Sequence, residues 1–484
     1  MAGNAKVVNH YLGIDLGTSA TKALVLREDG EVVSKASAGY PVIHPKVGWA
    51  EQALEAWWQA VGTATKEALS TVDADLIRGI GLSGQLNALV LLDGSKRPLK
   101  DAVIWLDQRA VAEANWLNEH YGTRLREAVL NPANPIYVGA KLLWMRNHAP
   151  DTLERTRWVL FAKDYINFRL TGEIATDYTD ASCSLLFDLT QNRWLVEVLQ
   201  EVGIHIEQLP PLHSSVEVIG AVTAEAAEAT GLPAGLPVVA GAGDVAALAL
   251  GSGAIEPGVG SITLGTAGHV VMASRAISNV GFGAIWQMRH VDPNRFLSLG
   301  LVMSGGLSYA WFKRELGEYE EHRAAETGED PFELLTARAL HSEPGARGLL
   351  FLPFLEGVAT PHQNPRLKAA FINMSSAHQK GDMVQAVLEG VAFNIRDCIE
   401  LLAHSKTDVS ELRLGEGGSR NPHWRQIIAD VLGYPLYPLR ESDASAIGAA
   451  ILAMKAAMPE KSLVEIVEKA VRVNAADLIE PQQK

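Results

Sequence analysis

Cysteine is nearly missing from this 484-residue chain: there are two, Cys183 and Cys398. With no ligand spacing around them, they exclude a disulfide framework and a four-thiolate zinc site, and read as buried thiols of a reducing compartment. No run of about 18 apolar residues occurs, so no segment is suited to cross a bilayer as a helix. The opening MAGNAKVVNH lacks the apolar stretch of a secretory signal, and a cytoplasmic location is expected. Basic charge is also short, with 42 Lys and Arg against 56 Asp and Glu, a net charge of −14. No cluster of Lys and Arg offsets that excess, so a nucleic-acid partner is not expected, because phosphate backbones need a basic patch. Any anionic ligand must be held by local devices.

Familiar catalytic templates are missing too. There is no Gly-Lys-Ser/Thr, hence no P-loop, no Gly-x-Gly-x-x-Gly after a strand, no His-Glu-x-x-His and no Gly-x-Ser-x-Gly. Ser19-Ala20-Thr21-Lys22 matches Ser-x-x-Lys, but it falls in a hairpin without companion motifs and reads as chance. The 14 His show no ligand spacing.

What is present is a chain that is 48% hydrophobic and long enough for two to four domains with more than one core. From Tyr11, three strand-like runs separated by Gly17-Thr18-Ser19 and Asp29-Gly30 predict an antiparallel meander. Leu54, Trp57, Trp58 and Val61 are spaced three and four apart and predict a helix over 52–69, followed by a strand over 77–82. The device returns at Gly260, where an apolar strand, Leu264-Gly265-Thr266 and a β-branched strand follow one another. Two such hairpins, one per half, predict duplicated lobes facing a cleft. The Gly/Ala/Pro-rich tract 232–260 suits the passage between them, with a boundary near Gly253 that gives units 1–252 and 253–484. Helices are predicted over 383–402, 421–432 and 444–454, and a last helix after Pro459.

Four constellations can carry chemistry. Asp15-Leu16-Gly17-Thr18-Ser19 with Lys22 puts a carboxylate at a strand end before a glycine-hydroxyl turn, which suits a cation and phosphate oxygens, and equally an ordinary hairpin. Gly241-Ala242-Gly243-Asp244 places an acid behind three small residues, as a general base for a hydroxyl or as a helix N-cap. Gly265-Thr266 is a second turn of the first kind. Gly415-Glu416-Gly417-Gly418, before Asn421-Pro422-His423-Trp424, is a loop at a helix start that admits a nucleobase or an anion, or only a tight connection. Trp49 and Trp105 adjoin polar motifs and suit the wall of a sugar site.

Together these residues resemble the FGGY family of carbohydrate kinases, its xylulokinases most of all. The resemblance runs through GIDLGTSATK at 13–22, GWAEQALEAWW at 48–58, GLSGQLNALVLLD at 81–93, WLDQR at 105–109, the stretch 160–182, AGAGD at 240–244, FLPFLEGVATPHQNP at 351–365 and GEGGSRNPHWRQIIAD at 415–430. It implies an α/β fold of two ribonuclease-H-like lobes of the actin, Hsp70 and sugar-kinase type around a central cleft, with ATP and Mg²⁺ between them. It implies Asp15 at the Mg²⁺, Thr18 and Ser19 along the phosphates, and Asp244 as the base. It further implies Gly265 and Thr266 at the γ-phosphate with Gly305 and Gly306 nearby, and Gly418 and Asn421 at the adenosine. Gln85, Asn87 and Asp244 would contact the sugar, with Trp105, Asp107 and Arg109 supporting that pocket, and a homodimer would be the family's habit. The implied substrate is a small ketose such as D-xylulose, ahead of ribulose, ribitol, erythritol or glycerol. A switch ATPase of the same fold is the competing class, and it has no use for the segments at 81–93 and 105–109.

Leu86-Asn87, Leu106 and Val245 depart from the xylulokinase pattern of Met-His, Asn and Asn at those places. All three departures fall where the sugar should be read, and exchanging a hydrogen-bonding side chain for an apolar one changes discrimination by orders of magnitude.

Overall fold

The computed structural model describes residues 8–277, 281–403, 409–473 and 475–482, so the first seven residues of the opening read for a signal lie outside the described residues. Strands β1 (His10–Leu16), β2 (Ala20–Arg27) and β3 (Val32–Gly39) form the expected meander. With β4 (Ile77–Gly84), β5 (Val218–Ala221) and β6 (Pro237–Val239) they make a sheet of order β5-β6-β4-β1-β2-β3, in which β4 runs parallel to β1. Burial follows position. Central β1 is buried on both faces and apolar almost throughout, whereas edge strand β3 alternates half-buried and exposed residues.

The second half repeats the plan. Strands β7 (Val259–Leu264), β8 (Gly268–Ser274), β9 (Trp286–Arg289), β10 (Phe296–Val302), β11 (Glu411–Gly415) and β12 (Leu436–Pro438) have the order β9-β10-β8-β7-β11-β12, with β11 parallel to β7. In both sheets the first strand of an antiparallel meander is also the neighbour of a parallel strand. Each Leu-Gly-Thr turn therefore emerges from the first strand of its own sheet, at the same place in each lobe.

Helix α1 (Leu54–Leu69) buries Leu54, Trp57, Trp58 and Val61, as their spacing requires. It begins two residues later than predicted, because Glu51 and Gln52 pair with Ala102 and Val103 as a short antiparallel ladder. Helices α2 (Ala162–Thr171), α3 (Asp244–Gly251), α4 (Gly305–Leu316), α5 (Lys380–Ala403), α6 (Pro422–Leu432), α7 (Ala444–Ala457) and α8 (Leu463–Ala470) complete the framework used below. The predicted ends at 383–402, 421–432 and 444–454 differ from α5, α6 and α7 by at most three residues.

Helices α3 and α7 join the two halves. A Cβ on Gly251 would lie 1.8 Å from the Ala444 carbonyl oxygen and one on Gly448 would lie 1.9 Å from that of Ala247, so only glycine lets these backbones touch. Helix α7 also rests on the first sheet, where Gly13 and Gly81 face the Ala446 and Ala449 carbonyls in the same way. One apolar cluster runs from Tyr11, Leu24 and Leu26 through Val245–Leu250 and Ile447–Met454 to Val271 and Leu299, making the crossing a shared core of both sheets. Among the described residues no helix is long and apolar enough to cross a membrane.

Candidate active site between the two lobes

Asp244 is the first residue of α3 and follows the two-residue strand Ala242–Gly243, which extends the first sheet beside Ser83 and Gly84. Gly243 occupies the N-cap, so the capping alternative for Asp244 does not apply; its Oδ1 instead accepts from the Val245 N–H at 2.8 Å. Burial and the negative charge of Asp15 push its carboxyl up to about 7, against opposing N–H groups of Val245 and Leu86. A carboxylate poised near neutrality, on a residue that keeps some surface, suits proton transfer from a hydroxyl. Leu86 packs against the turn before this acid, since a Cβ on Gly243 would lie 2.3 Å from Leu86 Cδ2.

A buried network holds the turn before Asp244. The Gly243 N–H donates to Thr179 Oγ1 at 2.8 Å, and Asp177 Oδ2 accepts from Thr179 and Ser215 hydroxyls, each at 2.7 Å. Lys163, on α2, lies 2.7, 3.0 and 3.1 Å from Asp164, Asp177 and Asp180, with all four side chains sealed from solvent.

The candidate sugar-reading residues lie on the loop after β4 and on the segment 105–109. Gln85 and Asn87 are buried, yet Gln85 Oε1 and Asn87 Oδ1 have no partner. Buried acceptors left open are costly unless a ligand supplies the donors, so both are able to accept from hydroxyl groups. Asn87 sits in the left-handed region with φ 64°, which asparagine tolerates, and its carbonyl accepts a 2.5 Å bond from Nζ of fully buried Lys141. Asp107 is sealed and saturated, accepting from Ala50 N–H at 2.6 Å and from Arg109 at 2.8 and 2.7 Å. It supports the loop and has no oxygen to spare for a sugar. Arg109 lies 3.7 Å over the ring of Trp49, which therefore backs the loop as well. The indole of Trp105 donates to Thr18 Oγ1 at 2.8 Å and leaves that hydroxyl's own proton free. Of the departures, Leu86 and Asn87 border Asp244 and the open acceptors, Leu106 is exposed, and Val245 is buried in the shared core.

The first glycine-hydroxyl turn, expected to meet phosphates, follows β1. Asp15 Oδ1 accepts from Ser83 Oγ at 2.8 Å, and its carboxyl is raised by burial despite that bond and the nearby Lys22. Lys22 pairs with Asp443 at 3.0 Å just before α7, and Lys35 holds the other oxygen at 2.9 Å. Burial would lower Lys22, but Asp443, Asp15 and Glu416 together hold it raised. The second turn is enclosed by backbone. Gly306 N–H donates to the Gly265 carbonyl at 2.8 Å and Leu307 N–H to that of Thr266 at 3.1 Å, so the first turn of α4 closes on it. A Cβ on Gly305, Gly306 or Gly418 would lie within 3.0 Å of this turn or its strand. Ser19 and Thr266 are exposed at the two tips. Asn421 caps α6, accepting from Trp424 N–H at 3.1 Å and donating to Thr336 at 2.8 Å, which engages both ends of its amide.

Glu416 connects the turns. It lies beside Gly265, 3.3 Å from where a Cβ would stand, and shares its electrostatic surroundings with Lys22, Asp15 and Asp443. Its backbone, φ 72° and ψ −175°, is a glycine conformation. Both hairpins therefore border one cleft. Among the described residues no three His, Cys, Asp or Glu side chains form a cation cage. Desolvated Asp15, with further carboxylates near it, fits a Mg²⁺ carried mainly by phosphate oxygens and water, which is how this cation is usually held. Gln52, Lys141 and Lys163 were not singled out from sequence; Glu416 was named only as part of the glycine loop 415–418, with no role of its own, although a bulky acid inside Gly-x-Gly-Gly is a local signal. A cavity of about 710 Å³ near Gly253, Arg413 and Arg472 shares no residue with this site.

The fold and cleft define a two-lobed phosphotransferase, and comparison with known proteins specifies the class. Residues 10–251 match the N-terminal domain, and residues 260–457 the C-terminal domain, of the FGGY family of carbohydrate kinases. The chain is 34% identical to the xylulose kinase of Escherichia coli over 457 residues, covering 94% of this chain and 92% of that one. A gluconokinase of Bacillus subtilis is 29% identical over 452 residues, covering 93% and 88%. The crystal structure of xylulose kinase from Rhodospirillum rubrum superposes with a TM-score of 0.88 at 30% identity, covering 98% and 94%. This chain belongs to the FGGY family of carbohydrate kinases; it is an ATP-dependent phosphotransferase acting on a sugar.

Proposed function

We propose that the enzyme transfers the γ-phosphoryl group of MgATP to a hydroxyl of a pentulose, D-xylulose first among them. The observation that carries this reading is the half-buried Asp244, poised near pH 7, together with the open acceptors of Gln85 and Asn87. Several relatives named xylulose kinase support the choice of sugar. Asp244 accepts the proton of the attacking hydroxyl while Gln85 and Asn87 orient its neighbours, and Trp105 forms the half-exposed wall. Thr18, Ser19 and Thr266 meet the phosphates from both sides, with Gly265, Gly305 and Gly306 giving backbone access, and Gly418 and Asn421 lie along the nucleoside. Asp15 is the residue that would hold Mg²⁺, which when bound would supply neutralisation of the charge on the phosphate oxygens. Because phosphoryl transfer passes through a loose transition state, alignment and neutralisation supply most of the catalysis. That is how an acidic chain binds a polyanion without long-range attraction.

Residues 1–252 would form the acceptor lobe and 253–484 the nucleotide lobe of a cytoplasmic homodimer. The deciding experiment measures ADP release with ATP and Mg²⁺ over D- and L-xylulose, ribulose, ribitol, erythritol, glycerol and gluconate. D-Xylulose is expected to give the highest kcat/KM. Preference for gluconate or glycerol would overturn the substrate, and sugar-independent ADP release would favour a switch ATPase.

A further inference from the structure

Gln52 has no role in the chemistry above, yet its side chain is bonded to both halves of the acceptor lobe's site. It is 1% exposed. Its Nε2 donates to the Thr18 carbonyl at 2.7 Å, and its Oε1 accepts from Trp57 Nε1 at 3.1 Å and from Gln85 Nε2 at 2.9 Å. An indole N–H only donates, so buried Trp57 fixes which end of the amide is oxygen and leaves the nitrogen facing Thr18. Gln85 Nε2 also reaches the Gly17 carbonyl at 3.4 Å, while Gln85 Oε1 is buried without a partner. A polar chain therefore runs from an empty acceptor position, through Gln85 and Gln52, to the backbone of the first phosphate turn. A second link, from Trp105 Nε1 to Thr18 Oγ1, joins the same two places by another route.

We propose that Gln52 is the positioning residue through which an occupied acceptor pocket sets the geometry of the Gly17-Thr18-Ser19 turn. This rests on the reading of the pocket given under the proposed function. A hydroxyl donating to Gln85 Oε1 polarises that amide and strengthens its N–H bonds to Gln52 and Gly17, since linked hydrogen bonds reinforce one another in a low-dielectric interior. The Thr18 backbone is then fixed through its carbonyl, and its hydroxyl is held where a phosphate oxygen can accept from it. MgATP binds more tightly once the acceptor is in place, and ATP bound alone meets a looser turn.

The test measures the affinity of a non-hydrolysable ATP analogue with Mg²⁺, with and without a saturating acceptor that the wild type turns over. Wild type is expected to gain about five-fold or more in nucleotide affinity when the acceptor is present, the lower range of ordinary coupling between sites. Gln52→Glu keeps the shape and the accepting oxygen but removes the donor to Thr18, so the gain should fall towards one while acceptor affinity alone stays within about three-fold. Trp105→Phe, at a half-exposed position that should not threaten folding, removes the second link and should lower the gain in part; melting curves check that both variants are folded. Turnover of none of the sugars by wild type would sink the reading of the pocket. Turnover with no gain in wild type, or an undiminished gain in folded Gln52→Glu whatever Trp105→Phe does, would sink the coupling alone.

Discussion

The two hairpins that border the cleft share a Leu-Gly-Thr turn and a place in their sheets, but not the way they are braced. The first is braced by side chains: Gln52 and Trp105 bond Thr18, Tyr40 and Gln85 bond the Gly17 carbonyl, and Ser83 bonds Asp15. The second is braced by main chain, with the start of α4 closing on Gly265 and Thr266 and glycines wherever another strand or loop approaches. Under the proposed function, the difference follows from what each lobe would recognise. A sugar is read through the direction of its hydroxyls, which calls for oriented amides and a shell that holds them. A phosphate chain presents equivalent oxygens, for which backbone N–H groups at a helix start suffice.

The sharpest break between the two sides is expected at Asp244. Asp244→Asn should lower kcat by about 10²–10⁴-fold, the usual worth of general-base assistance, with sugar affinity retained. Steady-state ADP release together with sugar binding by calorimetry checks both halves of that statement.

Next comes a glycine on the other side. In Gly306→Ala the added methyl would stand 2.4 Å from the Gly265 carbonyl oxygen and displace the second turn. A misplacement of about 1 Å can cost on the order of 10²-fold in rate, so kcat/KM for ATP should fall steeply while sugar affinity in the absence of nucleotide stays put. Equal losses on both substrates would erase the division of labour between the hairpins.

Acidity gives a finer measure. Asp244 is raised, so its basic form is lost as pH falls through about 7, and kcat/KM should decline roughly ten-fold per unit below that point. Because Asp15 contributes to the rise, Asp15→Asn should move the Asp244 titration of the nucleotide-free protein to lower pH, a shift visible by NMR of the carboxyl.

The smallest effect is expected at Glu416. Its glycine-type backbone costs on the order of 1–3 kcal/mol, so Glu416→Gly should raise the melting temperature. A lower melting temperature would mean that the carboxylate stabilises the fold through Lys22 by more than the backbone costs.

Most of the framework was legible in the residues. Strand-like runs with the Gly17-Thr18-Ser19 and Asp29-Gly30 turns between them pointed to the first meander, and the recurrence of Leu-Gly-Thr announced the second lobe. The spacing of Leu54, Trp57, Trp58 and Val61 set the buried face of α1. Gln52 shows where local reading failed: helical periodicity absorbed it, whereas pairing with Ala102 pulled it into a strand and aimed its amide at Thr18. Val245 shows the converse, since a departure beside the base counted as a change in sugar reading until the crossing of α3 and α7 buried it. The absence of an apolar span, the strand-turn-strand repeat, the aspartate behind small residues and the glycines of the crossing helices are properties of the chain itself, because propensity, periodicity and turn chemistry act over a few neighbours. Which amides are left open, why Asp244 titrates near neutrality, and how Trp105 comes to hold Thr18 were decided only in three dimensions. Desolvation and hydrogen bonds there join residues from tens to hundreds of positions apart, and neither quantity exists until the chain has folded.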